Sequence, residues 1–139
     1  MQKKHITIIL LLLSLLITSC TTTLPEDNPE KITIYYFFNE ACMNCEEQLK
    51  FLQELKKENQ DIELKKYNTD EEKNEELLQR FAEAYNERII TPPATFIAEE
   101  AFIGFGSKQT TGMLITDKIN KCTQTKCKNP ADILRKYYE

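Results

Sequence analysis

A chain of 139 residues has room for one domain, or one domain plus a targeting segment, and not two. Its composition, 41% apolar and 29% charged with only three glycines, is that of a globular protein and excludes collagen-like, mucin-like and wholly disordered chains. The formal charge is −4 and no basic patch is present, so nucleic acid is not an expected partner; the five cysteines are an odd number that needs an explanation.

The N-terminus supplies part of that explanation. Met1 to His5 is a short basic head, and Ile6 to Ile17 is aliphatic except for Thr7 and Ser14. Twelve helical residues reach about 18 Å, well short of a bilayer core of about 30 Å, so the run reads as the apolar part of a secretory signal and not as a membrane span. Ile17-Thr18-Ser19-Cys20 follows, an aliphatic residue and two small ones before a cysteine. This order resembles the cleavage box of bacterial lipoproteins. The resemblance implies a signal peptide over 1–19, with Cys20 as a lipidated new N-terminus held at the extracytoplasmic face of a bacterial membrane. A plain signal peptide with a cysteine at its cleavage site is the alternative. Cleavage there would remove Lys3, Lys4 and His5. Sixteen basic residues would then face twenty-two acidic ones, a charge of −6, and no histidine would remain. That excludes Ser-His and Cys-His nucleophile pairs and histidine-liganded metals. Four cysteines would be left, an even number suited to an oxidising compartment. Residues 21–30, polar with two prolines, read as an extended tether reaching up to about 35 Å.

From Lys31 the pattern alternates in type. Lys31 to Phe38 is β-branched and aromatic, apolar at nearly every position from Ile34, as in a central strand buried on both faces. Met43 to Asn59 has helical periodicity, with Cys45, Leu49, Leu52 and Leu55 on one stripe. Ile62 to Tyr67 reads as a second strand. Thr69 and Glu72 match a capping box that opens a helix with the stripe Leu77, Leu78, Phe81, Ala82 and Tyr85. Pro92-Pro93 ends that segment. Ala94 to Ile97 and Ala101 to Phe105 read as an antiparallel pair turning at Glu99-Glu100, closed by Gly104 and Gly106. A helix is expected near Thr110 to Cys122, with Ile115, Ile119 and Cys122 on one side, and Asn129-Pro130 starts a last short one. The order β-α-β-α-β-β-α argues for an α/β domain over 31–139, a central mixed sheet flanked by helices.

The chemistry concentrates at the first strand-to-helix junction, Cys42-Met43-Asn44-Cys45. A thiolate at a helix N-terminus faces unpaired backbone N–H groups and the positive end of the dipole, which lowers its pKa. Two intervening residues in a helical turn bring the sulfurs within bonding reach. Cys45 belongs to the buried stripe and Cys42 sits at the mouth, so Cys42 is the natural attacking thiol and Cys45 the resolving one. A static disulfide or half of a zinc site are the alternatives for an isolated CxxC; the βαβ context favours redox chemistry.

With that motif, with Pro92-Pro93-Ala94-Thr95-Phe96-Ile97 and with Gly104, residues 31–122 resemble the thioredoxin-like superfamily. The resemblance implies a thioredoxin-like fold, thiol–disulfide oxidoreductase activity without metal or organic cofactor, and a cis proline before the third strand lying against the active-site disulfide. Pro93 fits that place by strand register, with Pro92 the fallback. Thr91, Pro92 and Pro93 become the implied substrate-binding residues. The chain also departs from the family. Ala41 stands where thioredoxins have tryptophan, Tyr36 where they bury an acid, and Pro92 has no N–H to give a substrate.

Cys122 and Cys127, with four residues between them, have no counterpart in thioredoxins proper. A local disulfide that staples the C-terminal turn is expected. A second redox pair and a four-cysteine zinc site with Cys42 and Cys45 are the alternatives, the latter disfavoured by the long gap and by export. Glu40, Glu46 and Glu47 surround the CxxC, with no Lys, Arg or His near it to oppose them. If their field counts, it destabilises the Cys42 thiolate and makes the couple more reducing than strongly oxidising. The expected protein is thus a monomeric, membrane-anchored oxidoreductase whose partners are protein thiols or disulfides and a membrane electron donor. A redox-inactive scaffold lipoprotein with a structural disulfide is the alternative from another class; a metal chaperone is a weaker third.

Overall fold

The computed structural model describes residues 31–139. The expected signal segment, Cys20 and the expected tether lie outside the described residues. The protein is α/β, with a four-stranded mixed sheet flanked by helices. The strands are β1 (Ile32–Phe38), β2 (Ile62–Asn68), β3 (Ala94–Ile97) and β4 (Glu100–Ile103), and the helices are α1 (Met43–Glu58), α2 (Glu72–Ala84), α3 (Met113–Gln124) and α4 (Pro130–Tyr138). The sheet order is β2-β1-β3-β4, with β1 parallel to β2 and antiparallel to β3, and β3 antiparallel to β4. Among the described residues no helix is long and apolar enough to cross a membrane.

Strand β1 is apolar throughout because both of its faces are covered. Ile34 and Tyr36 face a cluster with Phe51 and Leu52 of α1 and with Ile115, Ile119 and Cys122 of α3. Tyr35 and Phe37 face the opposite cluster, where Leu78, Phe81 and Ala82 of α2 and Phe96 of β3 are buried and Ala131 and Leu134 of α4 pack at the edge. Rings dominate this second cluster: Phe96 lies 4.8 Å from Phe81 and 4.9 Å from Tyr85 between ring centres.

Three local expectations are corrected. The Thr69–Glu72 capping box does not form. The Thr69 backbone N–H and hydroxyl both donate to the carbonyl of Phe38, which pins the end of β2 to the end of β1, and Glu71 becomes the N-cap residue. The hairpin turns at Ala98-Glu99, one residue earlier than expected, because Ile97 pairs with Glu100. Ala98 takes a left-handed φ of 50° and its carbonyl accepts from the Tyr85 hydroxyl; Glu100 stays in the strand, where its carboxylate meets the buried Lys118 ammonium at 2.9 Å. Helix α3 starts at Met113, preceded by a wide π-type turn over Lys108–Gly112. Gly104 closes β4 at φ +80°, a conformation that favours glycine, and its N–H donates to the Pro93 carbonyl at 2.7 Å. Helix α4 begins as its sequence indicates: Asn129 Oδ1 accepts from the Ala131 N–H at 2.9 Å, with Pro130 in the first turn.

Candidate functional site

The junction after β1 delivers Cys42 to the N-cap of α1. Its backbone is extended (φ −87°, ψ 109°), and its carbonyl accepts from the Cys45 N–H. Its side chain makes no capping hydrogen bond, so sulfur stands where a capping oxygen usually does, at the positive end of a 16-residue helix. Cys42 and Cys45 form a disulfide, with sulfurs 2.06 Å and Cα atoms 5.3 Å apart. Cys42 is half-buried, Cys45 is 4% exposed, and Met43 between them is 90% exposed. An incoming group therefore meets the Cys42 sulfur before that of Cys45.

The strand register places the prolines across from the disulfide. Ala94 pairs with Phe37, so Pro93 falls opposite the last residue of β1, Phe38, four positions before Cys42. The Pro92–Pro93 peptide bond is cis. Thr91, Pro92 and Pro93 form one wall of an open cleft of ≈ 450 Å³ whose other wall is Asn39, Ala41, Cys42, Met43 and Asn44. A groove on the other side of the junction is lined by Phe38, Glu40, Cys42, Cys45, Glu46 and Leu49, among others. The structure thus brings Cys42, Cys45, Thr91, Pro92 and Pro93 together.

Behind the disulfide lies a buried polar cluster that the sequence pattern did not indicate. Tyr36, fully buried, donates its hydroxyl to the Cys45 carbonyl at 2.6 Å. Burial pushes its pKa well above the ordinary phenol value, so it is a neutral donor at any working pH. Thr95, directly opposite Tyr36 in the β1–β3 register, accepts from Gln48 Nε2 at 2.8 Å. Gln48 and Phe51 are buried while Leu49 and Leu55 are only partly so, which shifts the buried stripe of α1 from the expected one. Gln48 lies three residues after Cys45 and four before Leu52, and this helical spacing was the signal available for it.

The acidic rim also differs from expectation. A base does stand nearby: Lys50 meets Glu46 at 2.7 Å, one helical turn on, and holds its carboxyl below the ordinary value by hydrogen bonding and charge. Glu46 therefore lines the groove as half of an exposed ion pair. Asp70, brought from the β2–α2 loop, accepts the Glu40 N–H at 3.0 Å and so fixes the chain just before the CxxC.

No protein-family model matches the chain. No curated protein is significantly similar to it. Among solved structures, one described as "Structure of a malarial protein" is similar at 23% identity and a TM-score of 0.48, covering 63% of this chain and 97% of that one. A likeness of that size carries no argument about fold or function.

The second cysteine pair lies elsewhere. Cys122 and Cys127 form a disulfide with Cα atoms 5.1 Å apart. They line a cavity of ≈ 290 Å³ with Lys31, Ile32, Thr33 and Asp61, at the start of β1, whereas Cys42 follows the end of that strand. Seven strand residues at about 3.3 Å each separate the two pairs by roughly 20 Å. Direct exchange between them, or one metal centre built from both, has no geometric basis in this arrangement. The Cys122 side joins the core of the α1–α3 face. Replacing both residues with serine is expected to cost roughly 1–3 kcal/mol, the low end for disulfides because the closed loop is short. At about 4–8 °C per kcal/mol, calorimetry would register a clear fall in Tm. Activity that depends on Cys42 is expected to survive; its loss at unchanged Tm would make the pair an electron relay.

Proposed function

We propose that the protein is an exported, lipid-anchored thiol–disulfide oxidoreductase of thioredoxin-like fold. One observation carries the reading: a CxxC disulfide at a helix N-cap, its outer sulfur at the mouth of a cleft whose far wall is the cis Pro92–Pro93 segment. In the dithiol form, the Cys42 thiolate is favoured by the N–H groups and dipole of α1. It attacks one sulfur of a substrate disulfide. The Cys42–substrate bond forms, and the other substrate sulfur leaves as a thiolate and takes a proton from solvent. Cys45, once deprotonated, attacks the Cys42 sulfur, closes the Cys42–Cys45 disulfide and releases the second substrate thiol. Two electrons have then passed from protein to substrate, and a dithiol donor restores the reduced pair. Thr91, Pro92 and Pro93 form the surface against which the substrate chain lies, with Pro92 offering its carbonyl but no N–H. The exposed Met43 adds an apolar contact beside the sulfur.

The test is reduction of insulin by dithiothreitol, with and without the protein. Acceleration supports the reading; no acceleration by a folded protein with an intact disulfide assigns the chain to the scaffold class. The anchor is tested separately. Cys20→Ala is expected to block processing and lipidation, as read by the mass of the N-terminal peptide. A soluble, normally processed Cys20→Ala protein beside an equally soluble wild type would remove the lipid anchor from the account.

A further inference from the structure

Two buried side-chain polar atoms lack a hydrogen-bond partner among the described residues, Asn39 Oδ1 and Gln48 Oε1. They bracket the CxxC: Asn39 lies three residues before Cys42, and Gln48 three residues after Cys45. Asn39 borders the open cleft, where water is at hand. Gln48 is 0% exposed and is closed in between α1 and the sheet. Its Nε2 is satisfied by Thr95, and Tyr36 spends its hydroxyl hydrogen on the Cys45 carbonyl, so neither neighbour serves Oε1. Thr95 has one hydroxyl to share and it faces Nε2, so the oxygen is the end of the Gln48 amide left over. A buried polar group without a partner is costly and calls for an explanation, a redox role among them.

The disulfide state is the one described, and in it Cys45 has no hydrogen to give. On reduction, Cys45 becomes a buried S–H on the same face of the helix as Gln48, at the three-residue spacing that makes helical side chains neighbours. We propose that Gln48 is a positioning residue of the redox pair. Its amide oxygen is unpaired in the disulfide and accepts the Cys45 S–H in the dithiol, so the protein carries a built-in preference for the reduced state. The inference rests on reading Cys42–Cys45 as a pair that cycles between these states. The balance is that of ordinary reduction. A dithiol supplies two electrons and two protons and becomes a disulfide; the Cys42–Cys45 bond breaks, one proton ends on Cys45, and the other goes to Cys42 or, if Cys42 stays a thiolate, to solvent.

The experiment is the equilibrium of the Cys42–Cys45 pair with dithiothreitol, read by alkylation and peptide mass mapping in the full chain. Gln48→Met keeps length and volume and removes the unpaired oxygen. It is expected to make the disulfide about tenfold harder to reduce, a shift of about 30 mV toward more negative potential for a two-electron couple. Gln48→Glu restores an acceptor. While its carboxyl is protonated the equilibrium should stay close to that of wild type, and it should gain an extra pH dependence where the carboxyl ionises. If Gln48→Met fails to fold, that added pH slope carries the test alone. A Gln48→Met shift of less than twofold, or a Gln48→Glu protein without the added slope, would make Gln48 a packing residue and overturn the proposal. The measurement needs no turnover. A wild type that fails to reduce insulin but keeps the shift would remove the oxidoreductase reading and leave this inference standing.

Discussion

Replacing Cys42 with serine is expected to bring dithiothreitol-driven reduction of insulin down to the uncatalysed rate, while leaving the fold intact. The physical reason is access and ionisation together. Cys42 is the half-buried sulfur at the cleft, and it sits at the N-cap of α1, where unpaired N–H groups favour the thiolate. Cys45 is 4% exposed and lies against the polar cluster of Tyr36, Gln48 and Thr95, so it is a poor first nucleophile toward a protein disulfide. A serine hydroxyl has nearly the same size and is a common N-cap residue, so the variant should be no less stable than reduced wild type. Residual activity above one tenth of wild type in Cys42→Ser would mean that Cys45 or another cysteine attacks directly, and the assignment of roles would fail.

The largest loss of stability is expected at Phe96. Its side chain is 0% exposed in the middle of β3, with ring centres 4.8 Å from Phe81, 4.9 Å from Tyr85 and 5.8 Å from Phe37. Phe96→Ala removes all three ring contacts and opens a cavity that a sheet residue, held by strands on both sides, has little freedom to close. Such truncations cost about 3–5 kcal/mol, against a total stability of about 5–15 kcal/mol for an ordinary domain. At about 4–8 °C per kcal/mol, Tm should fall by well over 10 °C, as read by calorimetry or by loss of near-ultraviolet dichroism. A cost under about 1 kcal/mol would mean that the α2–α4 face is not the packed core described here. Because β3 continues directly from Pro93, the variant should also lose activity at temperatures where it is still mostly folded.

Much of this architecture was legible in the residues because it rests on patterns with a short range. The unbroken apolar run of β1 announces a strand buried on both faces, and the stripe Leu78, Phe81, Ala82 announces the buried side of α2. Asn129-Pro130 spells out a helix start, and the structure has one there. The Cys42–Cys45 and Cys122–Cys127 spacings each allow a disulfide, and both are present. The features that escaped depend on what distant segments do with a side chain. Thr69 carries a capping signature, but the end of β1 offers its hydroxyl a carbonyl and the cap is abandoned. Gln48 falls on the buried stripe by spacing, yet as a polar residue it is read as surface until Thr95, 47 positions away, is seen to receive its amide. Asp70 reaches the Glu40 N–H only because β2 runs parallel to β1 and ends beside it. Local chemistry marked where the sulfurs sit, and tertiary pairing decided what surrounds them.

The central claim is that Cys42 exchanges disulfides and Cys45 resolves the product. It is tested most directly by incubating the reduced Cys45→Ser protein with insulin and mapping the mixed disulfides by mass spectrometry. The account predicts an accumulating adduct joined through Cys42, absent from wild type, where Cys45 clears it. Insulin not joined through Cys42, or an adduct that accumulates equally in wild type, would contradict it.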